Sequence, residues 1–226
     1  MNHSQLHSKS GGDSLTRRFS HVAARLISDI ANPLLVPPLV FFSLGYILSL
    51  PATELGWIAT VSLVFYCLVP FGITLWLLNT GHIQSLDIPL RKNREKLFRL
   101  SIISSTIGSL FMFYLCINQD RILLETALVF LLNPFLGYAI NRRFKISIHT
   151  ASLATAAALL LALYLRMPDL YVSAGLLSMA ILFVIIPAMI WARLNLKIHS
   201  FLELFGGVLA GMTFALLELG ILQLIW

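Results

Sequence analysis

The chain has 226 residues, of which 58% are hydrophobic and only 12% are charged. Soluble domains carry about 25% charged residues, so this composition excludes an ordinary soluble enzyme. The apolar residues form continuous blocks of about 20 residues, the length of a membrane-spanning helix, and not the alternating pattern of an outer-membrane barrel. Basic membrane loops account for the net charge of +6, and we expect no nucleic-acid partner.

The chain begins with a polar and basic segment, residues 1–30, whose first half we expect to be disordered. Four apolar residues of its second half recur at helical spacing: Phe19, Val22, Leu26 and Ile30. This spacing predicts a short amphipathic helix on the membrane surface, with its arginines towards anionic lipid. We therefore divide the chain into this segment and a single transmembrane domain, residues 31–226.

Seven apolar segments follow, and they predict membrane-spanning helices. Their approximate limits are 33–50, 55–80, 100–117, 122–140, 149–165, 170–191 and 203–226. Pro33, Pro37 and Pro38 crowd the start of the first segment and predict a kinked entry. Asn133-Pro134 predicts a break in the fourth. The predicted fold class is all-α, a polytopic transmembrane bundle of six to seven spans.

The basic residues predict how the bundle is oriented. With seven spans, fourteen Lys and Arg residues lie on the side of the N-terminus, whereas only Arg121 and Arg166 lie on the other side. The fourteen are divided among four stretches: 1–30, 81–99, 141–148 and 192–202. Because basic loops stay in the cytoplasm, we expect an integral protein of the inner or plasma membrane with these four stretches on the cytoplasmic side.

Two histidines, His149 and His199, lie where a predicted cytoplasmic loop meets a span. Arg193 precedes His199 by six positions, and Glu203 follows it by four. If Glu203 lies in the first turn of the last helix, its carboxylate shares a face with His199. The carboxylate would then accept a hydrogen bond from one imidazole nitrogen, and the other nitrogen would be free to react. Ionisable groups at the edge of a bilayer are functional candidates.

The same predicted face collects the groups that a phosphate site needs: cationic donors, a base or nucleophile, an acid and an orienting carboxylate. His149, His199 and Glu203 are the catalytic candidates. The same face also has Ser147, Arg193 and the basic cluster at 91–99, which includes Arg91, Lys92 and Arg94. Arginine suits a phosphate site because it binds phosphate bidentately. We predict no metal, because the neighbouring basic residues would repel a cation from the histidines.

Three motifs resemble those of the type-2 phosphatidic acid phosphatase superfamily, and the chain looks like a divergent member. They lie within about residues 87–211. The family's third motif, S-R-x5-H-x3-D, corresponds to Ala192-Arg193-x5-His199-x3-Glu203. The second motif, P-S-G-H, corresponds to Ile146-Ser147-Ile148-His149. The first motif, K-x6-R-P, corresponds to Lys92-x6-Arg99-Leu100, with Arg91 and Arg94 as equal claimants for the basic position.

What the resemblance implies is hydrolysis of a lipid phosphate or diphosphate without a metal or another cofactor. It implies that His199 attacks phosphorus and forms a phosphohistidine, while Glu203 orients its ring. His149 would protonate the leaving oxygen, and Arg193, Ser147 and the basic cluster would bind phosphate oxygens. The expected partners are a lipid phosphate substrate and membrane lipids, and the oligomeric state stays open.

Departures from the motifs motivate an alternative, a non-catalytic relative that binds or moves phospholipid headgroups. Ile148 stands where a glycine backbone would approach phosphate closely, and Ala192 lacks the hydroxyl of the motif's serine. A small-solute transporter is a further alternative. It would need polar groups near the bilayer midplane, for which Asn133 is the candidate.

Two local features have simpler explanations. His199 and Glu203 on their own are also compatible with a hydrogen-bonded pair at a helix start. Gly207 and Gly211 form a G-x-x-x-G in the last span, which predicts close helix packing without a function.

Overall fold

A computed structural model of the chain describes residues 18–82 and 91–225, with the side chains of 91–97 and of residue 225 left out. The described residues form eight helices. In chain order they are α1 (18–30), α2 (Val36–Ile47), α3 (Ala52–Asn79), α4 (Arg91–Cys116), α5 (Arg121–Asn141), α6 (Ile148–Arg166), α7 (Val172–Asn195) and α8 (Phe201–Ile225). The expected disorder of residues 1–15 lies outside the described residues.

The predicted fold class is confirmed. Six of the described helices, α3 to α8, are long and apolar enough to cross a membrane. Their limits agree with the predicted spans to within a few residues, except that α4 begins at Arg91, nine residues before its predicted span. The helix therefore includes all five basic residues of the stretch 81–99, which is predicted to be a loop.

The first predicted span is shorter than expected. At 1.5 Å per residue, the 12 residues of α2 extend only about 18 Å, whereas the hydrocarbon core is about 30 Å thick. Pro37 and Pro38 lie in the first turn of α2, where missing N–H groups cost no helical hydrogen bond. The chain leaves the helix at Ser49, whose φ of 55° is incompatible with a continuing α-helix.

The two ends of α2 nevertheless lie at opposite ends of the bundle. α1, which precedes it, is bonded through Ser28 to Arg193 at the end of α7. α3, which follows it, is bonded through Glu54 to Gln119, just before α5. We call the first the site end, because His149 and His199 lie there, and the second the far end. Residues 31–51 therefore carry the chain from one end to the other.

Interior prolines are accommodated in three of the long helices. α5 continues through Pro134, so the predicted break is wrong. In α3 and α7 a π-helical stretch precedes the proline: Leu63–Leu68 before Pro70, and Ile181–Ile185 before Pro187. There the N–H groups of Val69 and Ile186 bond to the carbonyl five residues earlier. Such wide turns are a common way to relieve a proline clash within a helix.

The two basic residues on the far side share one carboxylate. Glu125 is only 2% exposed, and it forms ion pairs with Arg121 and Arg166. Arg121 also donates to the carbonyl of Leu222. The two exceptions to the one-sided charge distribution therefore tie α5, α6 and α8 together at the far end.

α6 lies at the centre of the bundle and is the most buried of the six long helices. α2, α5, α7 and α8 all pack against it. Its middle is rich in alanine and fully buried at Ala154, Ala157 and Ala158, and such small side chains let neighbouring helices come close. Since Ser147 and His149 lie at its start, the central helix fixes their position relative to α7 and α8.

Candidate functional site

The contact between α6 and α8 brings the second and third motifs together. A Cβ added at Gly207 would overlap Thr150 Oγ1 and the Ser147 carbonyl oxygen, and a Cβ at Gly211 would overlap the Ala151 carbonyl. The two helices therefore touch through backbone atoms. The G-x-x-x-G predicted to serve packing alone is the feature that places the start of α8 against the start of α6.

Hydrogen bonds follow this contact from the site end into the bundle. The Ser147 N–H donates to the Glu203 carbonyl at 3.0 Å, and Thr150 Oγ1 donates to the Leu204 carbonyl at 2.9 Å. Ser147 also caps α6, since its Oγ accepts from the Thr150 N–H at 3.5 Å. Ser147 and Thr150 are both fully buried, so these bonds fix the geometry of the loop that leads to His149.

His199 and Glu203 form the hydrogen bond that their spacing predicts, with 2.7 Å between Nδ1 and Oε2. Glu203 lies in the first turn of α8, and its carboxylate also accepts from the Ser200 N–H at 3.3 Å. In return, Ser200 Oγ accepts from the Glu203 N–H at 3.3 Å. This reciprocal pair is a capping box, which holds the carboxylate under the imidazole. The His199 ring is thus oriented through Nδ1, and Nε2 remains for a reacting group.

The surroundings of His199 favour the neutral imidazole. Burial is the main cause that lowers its pKa from the ordinary value, and the positive charges of Arg193 and Lys145 lower the pKa further. Glu203 acts in the opposite direction and offsets part of the shift. A pKa below about 6.5 leaves the ring neutral at pH 7, the form that has a lone pair for attack on an electrophile.

Lys145, which is predicted only to be a basic residue of a loop, also lies at the site. Its Nζ lies 3.1 Å from Glu203 Oε2 and donates to the Ile198 carbonyl at 3.2 Å. The sequence does contain one indication of this role. Lys145 precedes Ser147 by two residues, in a loop predicted to lie on the same side of the membrane as His199. The number of basic residues in the loop does not distinguish Lys145 from Arg142 and Arg143, which are exposed as well.

Arg193 lies at the end of α7 and is only 4% exposed. Its NH1 donates to Ser28 Oγ of α1 at 2.9 Å, and the Arg193 carbonyl accepts from the Ile198 N–H. Between these residues the chain turns tightly, with Lys197 at a φ of 55°. The turn keeps the guanidinium within electrostatic reach of His199. The contact with α1 was not predicted.

His149 lies in the first turn of α6 and is half-buried. Ile148, which replaces the motif's glycine, is 40% exposed. Its side chain therefore points away from the buried contact that Ser147 and Thr150 make with α8. The larger side chain is accommodated at the surface and does not separate α6 from α8. Ala192 is fully buried in α7.

The basic candidates Arg91, Lys92 and Arg94 belong to the first turns of α4, but their side chains lie outside the described residues. The helix itself reaches the site end, because Phe98 packs on Tyr138 near the end of α5, with 6.2 Å between the ring centroids. A cleft of about 680 Å³ opens there. Its lining includes Ala139, Ile140, Arg142, Arg143 and Phe144.

No protein-family model matches the chain, and no curated protein or solved structure matches it significantly. The chemistry of the site itself must therefore indicate the function.

The side chains at the site are suited to an anion. Among the described residues, no group of three or more His, Cys, Asp or Glu side chains is placed to hold a metal ion. Lys145 and Arg193 instead place positive charge close to the His199–Glu203 pair. The transporter candidate Asn133 donates to Thr155 Oγ1 at 3.3 Å, and Thr155 donates to the Gly211 carbonyl. These bonds connect α5, α6 and α8.

Proposed function

We propose that the protein is an integral membrane phosphatase that hydrolyses a lipid phosphate or diphosphate through a phosphohistidine. The observation that carries the proposal is the 2.7 Å bond between His199 Nδ1 and Glu203 Oε2. The bond orients the imidazole, while burial and the positive charges of Arg193 and Lys145 favour its neutral form. This is the arrangement expected of a nucleophile that attacks phosphorus. The proposed kinship with the type-2 phosphatidic acid phosphatases rests on the three motifs.

In the first step, His199 Nε2 attacks phosphorus, and the bond from phosphorus to the lipid oxygen breaks. The electron pair of that bond stays on the leaving oxygen, which takes a proton from the His149 imidazolium. The product lipid is then released as an alcohol, or as a monophosphate if the substrate was a diphosphate. Glu203 accepts the Nδ1–H bond throughout and stabilises the positive charge that develops on the His199 ring.

In the second step, water attacks the phosphohistidine. His149, now neutral, takes a proton from the water, and the bond between Nε2 and phosphorus breaks to release inorganic phosphate. The cycle leaves both histidines as they began. The phosphate oxygens are held by Arg193, Ser147 and the basic cluster of Arg91, Lys92 and Arg94, with Lys145 holding Glu203 in place.

A lipid substrate is favoured by the position of the site at the helix ends. There an acyl or prenyl chain stays in the bilayer while its headgroup reaches the histidines. The one-sided charge distribution supports a cytoplasmic location for this end, in the inner or plasma membrane.

The direct test uses purified protein with phosphatidate, phosphatidylglycerophosphate and a polyprenyl diphosphate as substrates, and it measures phosphate release. The parent protein should release phosphate from at least one of them, and His199→Ala should release none. An alkaline quench, which preserves phosphohistidine, should trap labelled phosphate on the parent protein only. Equal activity of His199→Ala and the parent protein would refute the mechanism.

The burial of the site favours one second candidate, a relative that binds or moves phospholipid headgroups without hydrolysis. The side chain of His199 is only 9% exposed, and Arg193 is bonded to Ser28, so little of either faces solvent. This candidate predicts phospholipid binding that depends on Arg193, while no labelled phosphate is ever trapped on His199.

A further inference from the structure

Helix α1 packs on the bundle with a stripe of small side chains. Ala24 and Ser28 are buried and Ser20 is half-buried, and these residues lie four apart on one face of the helix. The predicted apolar stripe lies on another part of the helix surface and is exposed: Phe19, Val22, Leu26 and Ile30. One face of α1 therefore packs against the bundle and another is exposed for contact with lipid. The packed face includes Ser28, which is bonded to Arg193.

The hydroxyl of Ser28 has an unused donor beside the guanidinium. Ser28 Oγ accepts from Arg193 NH1 at 2.9 Å, and its O–H donates to no other residue in the part of the chain that the structure describes. A hydroxyl both accepts and donates, so the accepted bond points the oxygen at Arg193 and leaves the proton for another acceptor. Ser28 is 2% exposed, and a donor buried in this way favours a partner that enters the site.

Phosphate is the acceptor that fits this position under the proposed function. Phosphate oxygens accept from guanidinium and hydroxyl donors together, and Arg193 already contributes positive charge next to His199. The neighbouring position in α7 is Ala192, which has no hydroxyl. Ser28 brings one to Arg193 from a helix that lies 165 residues away in the chain.

We propose that Ser28 is a phosphate-binding residue, and that α1 is a wall of the site that supplies a hydroxyl beside Arg193. The inference rests on the proposed function, in that it concerns the same phosphate group. It also assigns α1 a role that a membrane anchor does not have. Removal of the Ser28 hydroxyl weakens phosphate binding even when α1 stays docked.

The test measures equilibrium binding of inorganic phosphate to the full chain in vesicles, together with phosphate release from phosphatidate. Ser28→Ala and Ser28→Cys should both weaken phosphate binding about tenfold or more, the usual effect of losing a hydrogen bond to a charged group. Ser28→Thr, which retains a hydroxyl, should restore much of the binding. Ser20→Ala is the matched control, because it removes a hydroxyl from the same stripe two turns away, and it should bind like the parent.

The cysteine variant separates binding from packing, because its side chain has the shape of serine and is only slightly larger, but its thiol is a weak hydrogen-bond donor. If Ser28→Cys binds phosphate as the parent does, Ser28 serves packing only and the inference is wrong. If the parent binds phosphate but hydrolyses no lipid, the proposed catalytic function fails, and weaker binding by Ser28→Cys still supports the inference. If the parent binds no phosphate at all, both proposals fail.

Discussion

Lys145 Nζ lies 3.1 Å from Glu203 Oε2, so the carboxylate that orients His199 is itself held by a cation from the loop before α6. The loop, the start of α8 and the turn after α7 thus meet at one carboxylate. The charges around this carboxylate change the pKa of His199. Lys145 and Arg193 lower the pKa, and Glu203 raises it.

We expect Lys145→Met to raise the pKa of His199, because the Lys145 charge is one cause that lowers it. In the parent, His199 has a lowered pKa, so the neutral ring persists below pH 6.5. The acidic limb of the pH profile of kcat/KM should therefore lie below that value and move to higher pH in the variant. Histidine NMR of the protein in detergent, with His199→Gln to assign the signal, reports the same shift without an activity.

Lys197→Met is the matched control, since Lys197 lies two residues from His199 with an exposed side chain and does not contribute to the shift. An unchanged His199 pKa in Lys145→Met would show that the Lys145 charge does not reach the ring.

We expect Glu203→Gln to shift the pKa of His199 in the opposite direction, downwards, because Glu203 raises it through its hydrogen bond and its charge. The amide also orients the ring less reliably, so kcat should fall by on the order of 10²-fold or more. Glu203→Asp keeps the charge on a shorter arm and should retain more activity than Glu203→Gln. The idea that Glu203 orients a nucleophile fails if Glu203→Gln keeps the kcat of the parent.

We expect Gly207→Ala and Gly211→Ala to destabilise the bundle by about 1–3 kcal/mol, as overpacking does. Each new methyl group would overlap backbone or hydroxyl atoms of α6. Phosphate release should fall with stability, because Ser147 and Glu203 are held together through this contact. Thermal unfolding in detergent measures the first effect. Gly220→Ala is the control on the same helix, since a Cβ there meets nothing within 4 Å, and a loss as large in Gly220→Ala would remove the packing explanation.

We expect a membrane-impermeant thiol reagent to label the two ends of the bundle from opposite sides. Both native cysteines are buried, so the background should be low. Asn118→Cys, at the far end, should react in intact cells, whereas Arg143→Cys, at the site end, should react only after the membrane is opened. Both positions are exposed. The reverse pattern would invert the orientation predicted from the basic residues.

Much of the fold is predictable from the sequence because bilayer-spanning helices need long apolar blocks, and those blocks are visible as such. The shortness of α2 was harder to foresee, since it depends on Ser49 leaving the helix early. The break predicted at Pro134 is wrong because local sequence does not show the packing around a proline. A proline removes one helical hydrogen bond, but packing against neighbouring helices can maintain the helix, as it does in α5.

Contacts of the site between residues close together in the sequence could be predicted. The pairing of His199 with Glu203 follows from helical spacing, and the spacing is known from the chain alone. Lys145 and Ser28 were missed because their contacts join separate parts of the chain, and neither has a periodic signal. Ser28 belongs to the stripe of small residues on α1. An amphipathic pattern in the sequence indicates only the apolar stripe beside it.

The orientation of the third motif depends on the π-helical stretch that precedes it in α7. A wide turn accommodates one residue more than an α-turn, and each residue of an α-helix advances the helix by about 100°. The direction in which Arg193 points is therefore fixed partly at Ile181–Ile185, two turns or more before it. Deleting one residue of this stretch should therefore present a different face of α7 to α1, even though the spacing from Arg193 to Glu203 would be unchanged.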